Sequence, residues 1–207
     1  MKRELENSFS KNAVFVFCEW ETEKQYFECF WSIQRITVHT HVVWEVNVNN
    51  IKSQITNIWN HLKSKYKFNK RELKKYWLKI YYLVDCDTIQ NKKDIELIKE
   101  MFEKESISVL FSNKDFELFI LEHFVYYNKE DWNYIDEIKK YEPEYTKWMN
   151  LKTKRIFLKI INERLDDLIT NIEKLKKYHE KLNHNNIKEK NPFSEVIDVI
   201  NYCLRKF

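Results

Sequence analysis

The chain contains no glycine at all among its 207 residues, and it has only two prolines. Glycine is the residue that reaches positive φ without steric cost, so left-handed positions must be taken here by the next best residues, Asn and Asp. Asparagines stand where the predicted helices and strands end: Asn49, Asn50, Asn69, Asn128 and residues 183–186. We therefore expect asparagine to take the left-handed positions of this fold.

Other absences narrow the class of protein. The four cysteines (Cys18, Cys29, Cys86 and Cys203) are widely spaced and form no CxxC pair, which disfavours a cysteine zinc site and predicts a reduced, cytoplasmic protein. There is no signal-peptide pattern, and no apolar run approaches the ~20 residues that a spanning helix needs. The net charge of +4 and the pI near 8.7 permit a nucleic-acid partner without requiring one.

Three short apolar runs each end in polar or acidic residues. The runs cover residues 13–18, 80–84 and 107–111. Continuous apolar runs are typical of parallel strands that are buried on both faces. Since ligands of open α/β sheets bind outside the carboxyl ends of the strands, Glu19, Asp85, Asp87 and Glu117 should converge there. Clustered carboxylates repel each other and are costly to desolvate, so we expect a hard divalent cation such as Mg²⁺ among them.

Helical patterns separate these runs. The strands and helices alternate, which predicts an α/β fold with a mostly parallel sheet flanked by helices. Thr22 and Gln25 form a capping-box pattern at the start of the first helix. Residues 38–48 alternate as a half-exposed strand near an edge. After Tyr141 the pattern is helical only, and Pro192 suits the first turn of a last helix. The expected organisation is an α/β domain over residues 1–140 and a helical region over 141–207 packed on it.

A basic stretch lies between residues 52 and 79. It contains nine Lys or Arg residues and a single acid, with aromatic residues interleaved. Basic residues bind phosphates and exposed aromatics stack on unpaired bases, so one interpretation is a nucleic-acid surface. The candidate contacts are Lys65, Lys67, Lys70 and Lys74, with Lys24 near the first acidic turn. An equally weighted interpretation is a solvated helix face over a buried aromatic stripe.

His123, His39 and His41 can each be interpreted in two ways. His123 can polarise a phosphate, but a core or capping histidine is favoured. His39 and His41 have the spacing of a metal-binding pair on one face of a strand, although two solvent-facing histidines are favoured.

Several motifs occur in a fixed order along the chain. Residues 18–24 read CEWETEK and are followed by Tyr26–Phe27; residues 84–87 read VDCD; residues 112–118 read SNKDFEL and are followed by LEHF; Tyr145–Lys147 and residues 191–194 (NPFS) come last. With these motifs the chain resembles the RloB-like branch of Toprim-type proteins, which are associated with restriction and abortive-infection loci. Members of this family usually have glycine at the position of Trp20 and proline at the position of Lys114.

The resemblance implies a nuclease that hydrolyses phosphodiester bonds with Mg²⁺ or Mn²⁺. By analogy, Glu19, Glu23, Asp85 and Asp87 hold metal, Glu117 or Ser112 completes a second metal, and Lys147 offsets the developing charge. A D-x-D taken alone is often only a solvated turn.

The resemblance also favours an RNA substrate, tRNA in particular, and the role of a toxic effector in anti-phage defence by abortive infection. The expected partners are nucleic acid, a defence protein encoded nearby and a second copy of the chain, with no membrane. Two alternatives stay open. One is a DNA nuclease of a restriction-linked system. The other is a catalytically degenerate interaction module, which Trp20 in place of glycine allows.

Overall fold

The fold is built around a five-stranded sheet. The structure is a computed structural model, and it describes residues 13–34, 38–43, 46–72, 78–86, 89, 91–113, 115–129, 133–147, 150–184 and 189–206. The strands run in the order β2-β1-β3-β4-β5, with the first four parallel and β5 antiparallel to β4. Their bounds are β1 Val14–Cys18, β2 Val38–Val42, β3 Lys79–Asp85, β4 Ser108–Asn113 and β5 Phe193–Ser194.

Helices cover both faces of this sheet. Within the described residues their bounds are α1 Glu21–Gln34, α2 Ile51–Tyr66, α3 Lys92–Glu103, α4 Phe116–Leu121, α5 Tyr134–Lys139, α6 Leu151–Lys181 and α7 Ile197–Lys206. Helix α6 has 31 residues and is kinked at Arg164. In the part of the chain that the structure describes, no helix combines the length and the apolar character that a membrane span requires.

Two apolar layers hold the sheet between the helices. Val14, Val16 and Leu83 pack on one side with α1, α4, α6 and α7, whereas Phe15 and Tyr82 pack on the other side with α2 and α3. Because both faces are covered, neighbouring residues of each central strand are buried. This explains why the sequence shows continuous apolar runs rather than alternation. The predicted fold class is confirmed.

The structure corrects three local predictions. The alternating segment 38–48 forms a strand only to Val42, although β2 does lie at the sheet edge. Pro192 precedes strand β5 and is not in the last helix, which begins at Ile197. The prediction that no strand follows Tyr141 was therefore wrong. Residues on both sides of the predicted domain boundary near 140 share one apolar layer, and the boundary itself stays a prediction.

The expectation that asparagine takes the left-handed positions holds for only some of them. Among the described residues, those with positive φ are Lys67, Ser106 and Asn183. Asn50 precedes α2 with a φ of −115°. Lys67 ends α2 in the left-handed conformation and its N–H donates to the carbonyls of Leu62 and Lys63. A helix end that needs this geometry thus accepts a lysine, at the steric cost that glycine would avoid.

Candidate active site

The carboxyl edge of the sheet is formed by the segments that follow β1, β3 and β4. We use "amino edge" for the opposite edge, where these parallel strands begin. Glu19 follows β1, Asp85 ends β3, and Glu117 lies in the first turn of α4 just after β4. Parallel register between β1, β3 and β4 brings these three segments to the same edge.

Glu19 ties three segments of this edge together. One carboxylate oxygen accepts the N–H of Val46 at 2.9 Å and the hydroxyl of Tyr82 at 3.4 Å. The other oxygen accepts the N–H of Asp85 at 3.1 Å. A buried carboxylate with these donors has its charge largely satisfied by the protein itself. Glu19 therefore organises the edge, and its contacts are with the protein rather than with the cleft described below.

The side chain of Glu23 accepts hydrogen bonds from the backbone at the start of α1. Its Oε2 accepts the N–H groups of Glu19 at 2.9 Å and Trp20 at 3.1 Å. These N–H groups lie at the helix start, where no intrahelical partner is available. Burial, together with the charge of Glu19, raises the pKa of Glu23 to about 8, although the two N–H groups act in the opposite direction. Burial and the neighbouring Glu19 thus favour the protonated form of Glu23, and a bound cation would favour the ionised form.

Glu117 forms an ion pair with Lys147. The Lys147 Nζ lies 3.5 Å from Glu117 Oε2, and the lysine side chain is 45% exposed. The buried Oε1 of Glu117 has no hydrogen-bond partner among the described residues. Burial raises the pKa of Glu117, which Lys147 only partly offsets. Burial alone would lower the pKa of Lys147, but Glu117, Asp115 and Asp85 raise it overall.

A narrow cleft joins these groups. It has an empty volume of about 190 Å³, of which about 10 Å³ admits a water-sized group, and its lining comprises Trp20, Thr22, Glu23, Asp85, Phe116, Glu117 and Lys147. That smaller space suits about one water molecule. Three carboxyl groups and one ammonium group therefore share a small space, and the excess is of negative charge.

This donor set partly fits a divalent cation. Carboxylate oxygens are the ligands that Mg²⁺ prefers, and the unsatisfied Glu117 Oε1 together with the raised pKa of Glu23 shows that the cleft lacks positive charge. In the described part of the chain, however, no group of three or more His, Cys, Asp or Glu residues is arranged to hold a metal. Asp87, the second acid of the D-x-D motif, lies outside the described residues.

Other predicted site residues lie elsewhere. The Ser112 hydroxyl hydrogen-bonds the hydroxyl of Ser194 at 2.9 Å and is not part of the cleft lining. His123 is fully buried, with Nε2 at 2.8 Å from the Tyr26 hydroxyl and Nδ1 at 3.2 Å from the Arg164 carbonyl oxygen. It cannot reach a nucleic acid in this structure, and the core interpretation accounts for it.

The basic stretch runs away from the cleft. Helix α2 has 16 residues and is about 24 Å long. Its last turn packs at the amino edge, where Tyr66 and Phe68 contact the ring of Phe15. Lys65 and Lys67, on either side of Tyr66, are not part of the cleft lining, and their contact with nucleic acid stays a prediction.

The other described residues of the basic stretch also contact the protein. Lys70 pairs with Glu105 and lies over the ring of Trp59. Trp59, Tyr66 and Phe68 pack against the core and are not open stacking surfaces. Lys74 lies outside the described residues. Lys24, in contrast, is in the first turn at the carboxyl edge, where it pairs with Glu21 at 3.1 Å.

The edge histidines are also packed rather than solvent-facing. His39 stacks on Phe15, and His41 Nε2 lies 2.8 Å from the hydroxyl of Tyr66. His61 of α2 approaches His41 with a ring separation of 4.0 Å. Burial, followed by the neighbouring charges, lowers the pKa of His41 to about 3. These contacts support an aromatic packing role for the pair.

Two contributors to the cleft were missed by the motif analysis. The Thr22 hydroxyl donates to the backbone oxygen of Lys147 at 2.9 Å, which holds the segment after α5 against the start of α1. Phe116 provides an apolar wall. The order of motifs places Tyr145–Lys147 within the resemblance, but their distance in sequence from Thr22 gives no sign of this contact.

Comparison with known proteins assigns the family. The family model described as RloB-like protein matches residues 14–202. Because this match covers most of the chain, the protein belongs to the RloB-like family. No curated protein and no solved structure matches the chain.

Proposed function

We propose that this protein is a divalent-cation-dependent nuclease whose substrate binds beside the cleft at the carboxyl edge, with the cation held by the carboxyl groups that line it. One observation carries the proposal: Glu23, Asp85 and Glu117, from three separate chain segments, line the same narrow cleft beside Lys147. Three buried carboxyl groups are costly to keep together unless they bind a cation. Membership of the RloB-like family supports the proposal.

Each residue at the cleft would have a different role in the reaction. Glu23, Asp85 and Glu117 would hold Mg²⁺ or Mn²⁺, together with Asp87. The bound cation would supply Lewis-acid activation of water and neutralise charge on a phosphodiester. Lys147 is half exposed and already beside Glu117, so its ammonium group is available to contact a phosphate oxygen. Glu19 would act as a positioning residue, because its carboxylate accepts hydrogen bonds from the segments around the cleft.

The substrate and the biological role follow from the resemblance. We propose RNA, and tRNA in particular, as the substrate of a toxic effector in anti-phage defence by abortive infection, with DNA of a restriction-linked system as the competing substrate. The exposed Lys24 and Lys147 at this edge provide positive charge for a phosphate backbone.

A second candidate function is an interaction module without turnover. It is favoured by the carboxylate of Glu19, which is occupied by protein donors. It is also favoured by the absence of a three-ligand metal group within the described residues. Such a module would bind nucleic acid or protein at the same edge and would need no metal.

The test compares wild type with Glu117→Gln. This change keeps the size of the side chain and removes a charge that is costly to bury, so the variant should fold. Purified proteins are incubated with total tRNA, mRNA, single-stranded DNA and plasmid, with Mg²⁺, Mn²⁺ or EDTA. Glu144→Gln is the matched control, because Glu144 is exposed and pairs only with Lys152 among the described residues.

We expect wild type and Glu144→Gln to cleave RNA with metal, and Glu117→Gln to lose at least about 100-fold of the rate, as residues that act in a common metal site do. Cleavage of plasmid alone would support the DNA alternative. The nuclease proposal is wrong if wild type cleaves nothing with either metal, or if Glu117→Gln cleaves as fast as wild type.

A further inference from the structure

Trp20 lines the cleft and is exposed although it is a large apolar residue. Its side chain is 52% exposed, and the residue is part of the cleft lining together with Glu23 and Lys147. The other large side chains that follow β1, such as Tyr26 and Phe27, are fully buried. Trp20 therefore combines a solvent-exposed side chain with a position in the lining of the cleft.

The backbone of Trp20 is fixed by the first turn of α1. Its N–H donates to Glu23 Oε2 at 3.1 Å, and its carbonyl oxygen accepts the N–H of Lys24 at 3.3 Å. Trp20 is thus bonded to one of the carboxyl groups of the cleft. An aromatic side chain with two rotatable bonds on such a fixed backbone loses little conformational freedom when a ligand covers it.

The surrounding groups indicate the chemistry of that ligand. Lys24 and Lys147 offer ammonium groups on the same edge, and the indole offers a flat apolar surface. Phosphate beside an aromatic face is the recognition pattern of unpaired nucleotides, since every base has a face that can stack whereas bases within a duplex already stack on each other.

We propose that Trp20 is a stacking platform that binds an unpaired base beside the cleft, next to a phosphate that contacts Lys24 and Lys147, and so selects single-stranded over double-stranded nucleic acid. The inference rests on the proposed function in one respect, because it takes the ligand of the cleft to be a nucleic acid. It does not require hydrolysis. The tryptophan that replaces the family's glycine then adds a contact with the substrate instead of blocking the site.

Binding rather than cleavage is the test. A single-stranded RNA oligonucleotide containing 2-aminopurine and the duplex of the same sequence are titrated with protein in Ca²⁺, and affinity and base fluorescence are both recorded. The variants are Trp20→Ala and Trp20→Phe. Tyr141→Ala is the control, because Tyr141 is 44% exposed but stacks on Phe124 and is not part of the cleft lining.

We expect Trp20→Ala to weaken single-strand binding about tenfold or more and to abolish quenching of the 2-aminopurine, as loss of one stacked base does. Trp20→Phe should keep most of the affinity, and duplex binding should not change in any variant. Removing the probed base from the oligonucleotide should make wild type and Trp20→Ala bind equally, since the two changes delete the same contact.

Three outcomes would overturn the inference. Trp20→Ala could bind and quench like wild type, Tyr141→Ala could lose as much affinity as Trp20→Ala, or wild type could fail to bind any single strand. Single-strand binding with the expected Trp20 effect but no cleavage in Mg²⁺ or Mn²⁺ would instead reject the nuclease and keep the platform. Failure of the proposed function and failure of this inference are therefore distinguishable.

Discussion

Glu23 should make the protein less stable as the pH rises, which is the reverse of the usual behaviour of carboxyl groups. Its pKa is about 8 in the folded protein and near 4.5 when the chain is unfolded, because burial and Glu19 disfavour its charged form. A folded-state pKa above the unfolded one favours the folded state below pH 4.5, and this contribution is lost as the pH rises through 8.

The size of the loss follows from the two pKa values. The difference between 4.5 and about 8 corresponds to roughly 5 kcal/mol of unfolding free energy at alkaline pH. We expect on the order of 3 to 5 kcal/mol, because the cleft admits about one water molecule that can solvate the ionised group. A cation bound beside Glu23 should remove most of this loss, since it stabilises the ionised form.

The loss of stability at acidic pH has a different origin. His41 and His123 have their pKa values lowered to about 3, for which burial is the main cause. A lowered histidine pKa means that stability is present above the unfolded value of 6.5 and is lost as the pH falls toward 3. The two trends together predict maximum stability near pH 6.

Urea unfolding of wild type and Glu23→Gln from pH 4 to 10 measures this effect. The variant keeps an oxygen that can accept the N–H groups at the start of α1. We therefore expect stability to fall less steeply above pH 4.5 and to be unchanged below it, where Glu23 is protonated in both states. Glu122→Gln is the comparison, because burial also raises the pKa of Glu122 to about 8 at a site that does not line the cleft. If Glu23→Gln loses as much stability as wild type between pH 6 and 9, then the buried-charge account of the cleft is wrong.

Three further predictions concern other parts of the fold. Glu19→Gln should lower the unfolding free energy by about 1–3 kcal/mol, since its amide cannot accept from every donor that the carboxylate satisfies. Ser106→Gly should raise the unfolding free energy by about 0.5–1 kcal/mol, because a left-handed residue is relieved of steric cost and only part of this gain is lost to unfolded-state entropy. Replacing Lys65, Lys67 and Lys70 with Gln should leave the salt dependence of nucleic-acid binding unchanged, because they lie at the amino edge.

Each of these has a result that would contradict it. Unchanged stability of Glu19→Gln in urea would show that its hydrogen bonds do not organise the edge. A lower unfolding free energy for Ser106→Gly, with Asn50→Gly as the right-handed control, would show that the backbone at 106 is not strained. A smaller salt slope for the triple lysine variant would restore the amino edge as a nucleic-acid surface.

The sheet was predictable because its chemistry is local in sequence. A strand that is buried on both faces is apolar along its length, so the apolar runs at residues 14–18 and 80–84 predict the two buried strands. Parallel pairing then brings Asp85 and Glu117 to one edge without further information. The short strand β5 could not be predicted this way, because two residues carry no periodic pattern.

The roles of the individual site residues were harder to predict from the sequence. Glu19 and Glu23 look equivalent in sequence, yet one accepts donors from distant segments and the other caps its own helix. The basic stretch was ambiguous because exposure of Trp59 and Tyr66 depends on tertiary packing, which composition does not reveal. Thr22 and Lys147 meet across 125 residues, and no local pattern marks such a contact.

Location of a bound Mn²⁺ ion tests the central claim most directly. Crystals of the full chain soaked with Mn²⁺ are measured at a wavelength where manganese scatters anomalously, for wild type and for Glu117→Gln. The account predicts an anomalous peak in the cleft among Glu23, Asp85 and Glu117 in wild type, and a weakened peak or none in the variant. A cleft without a peak at millimolar Mn²⁺, or a strong peak elsewhere that the variant does not alter, would contradict it.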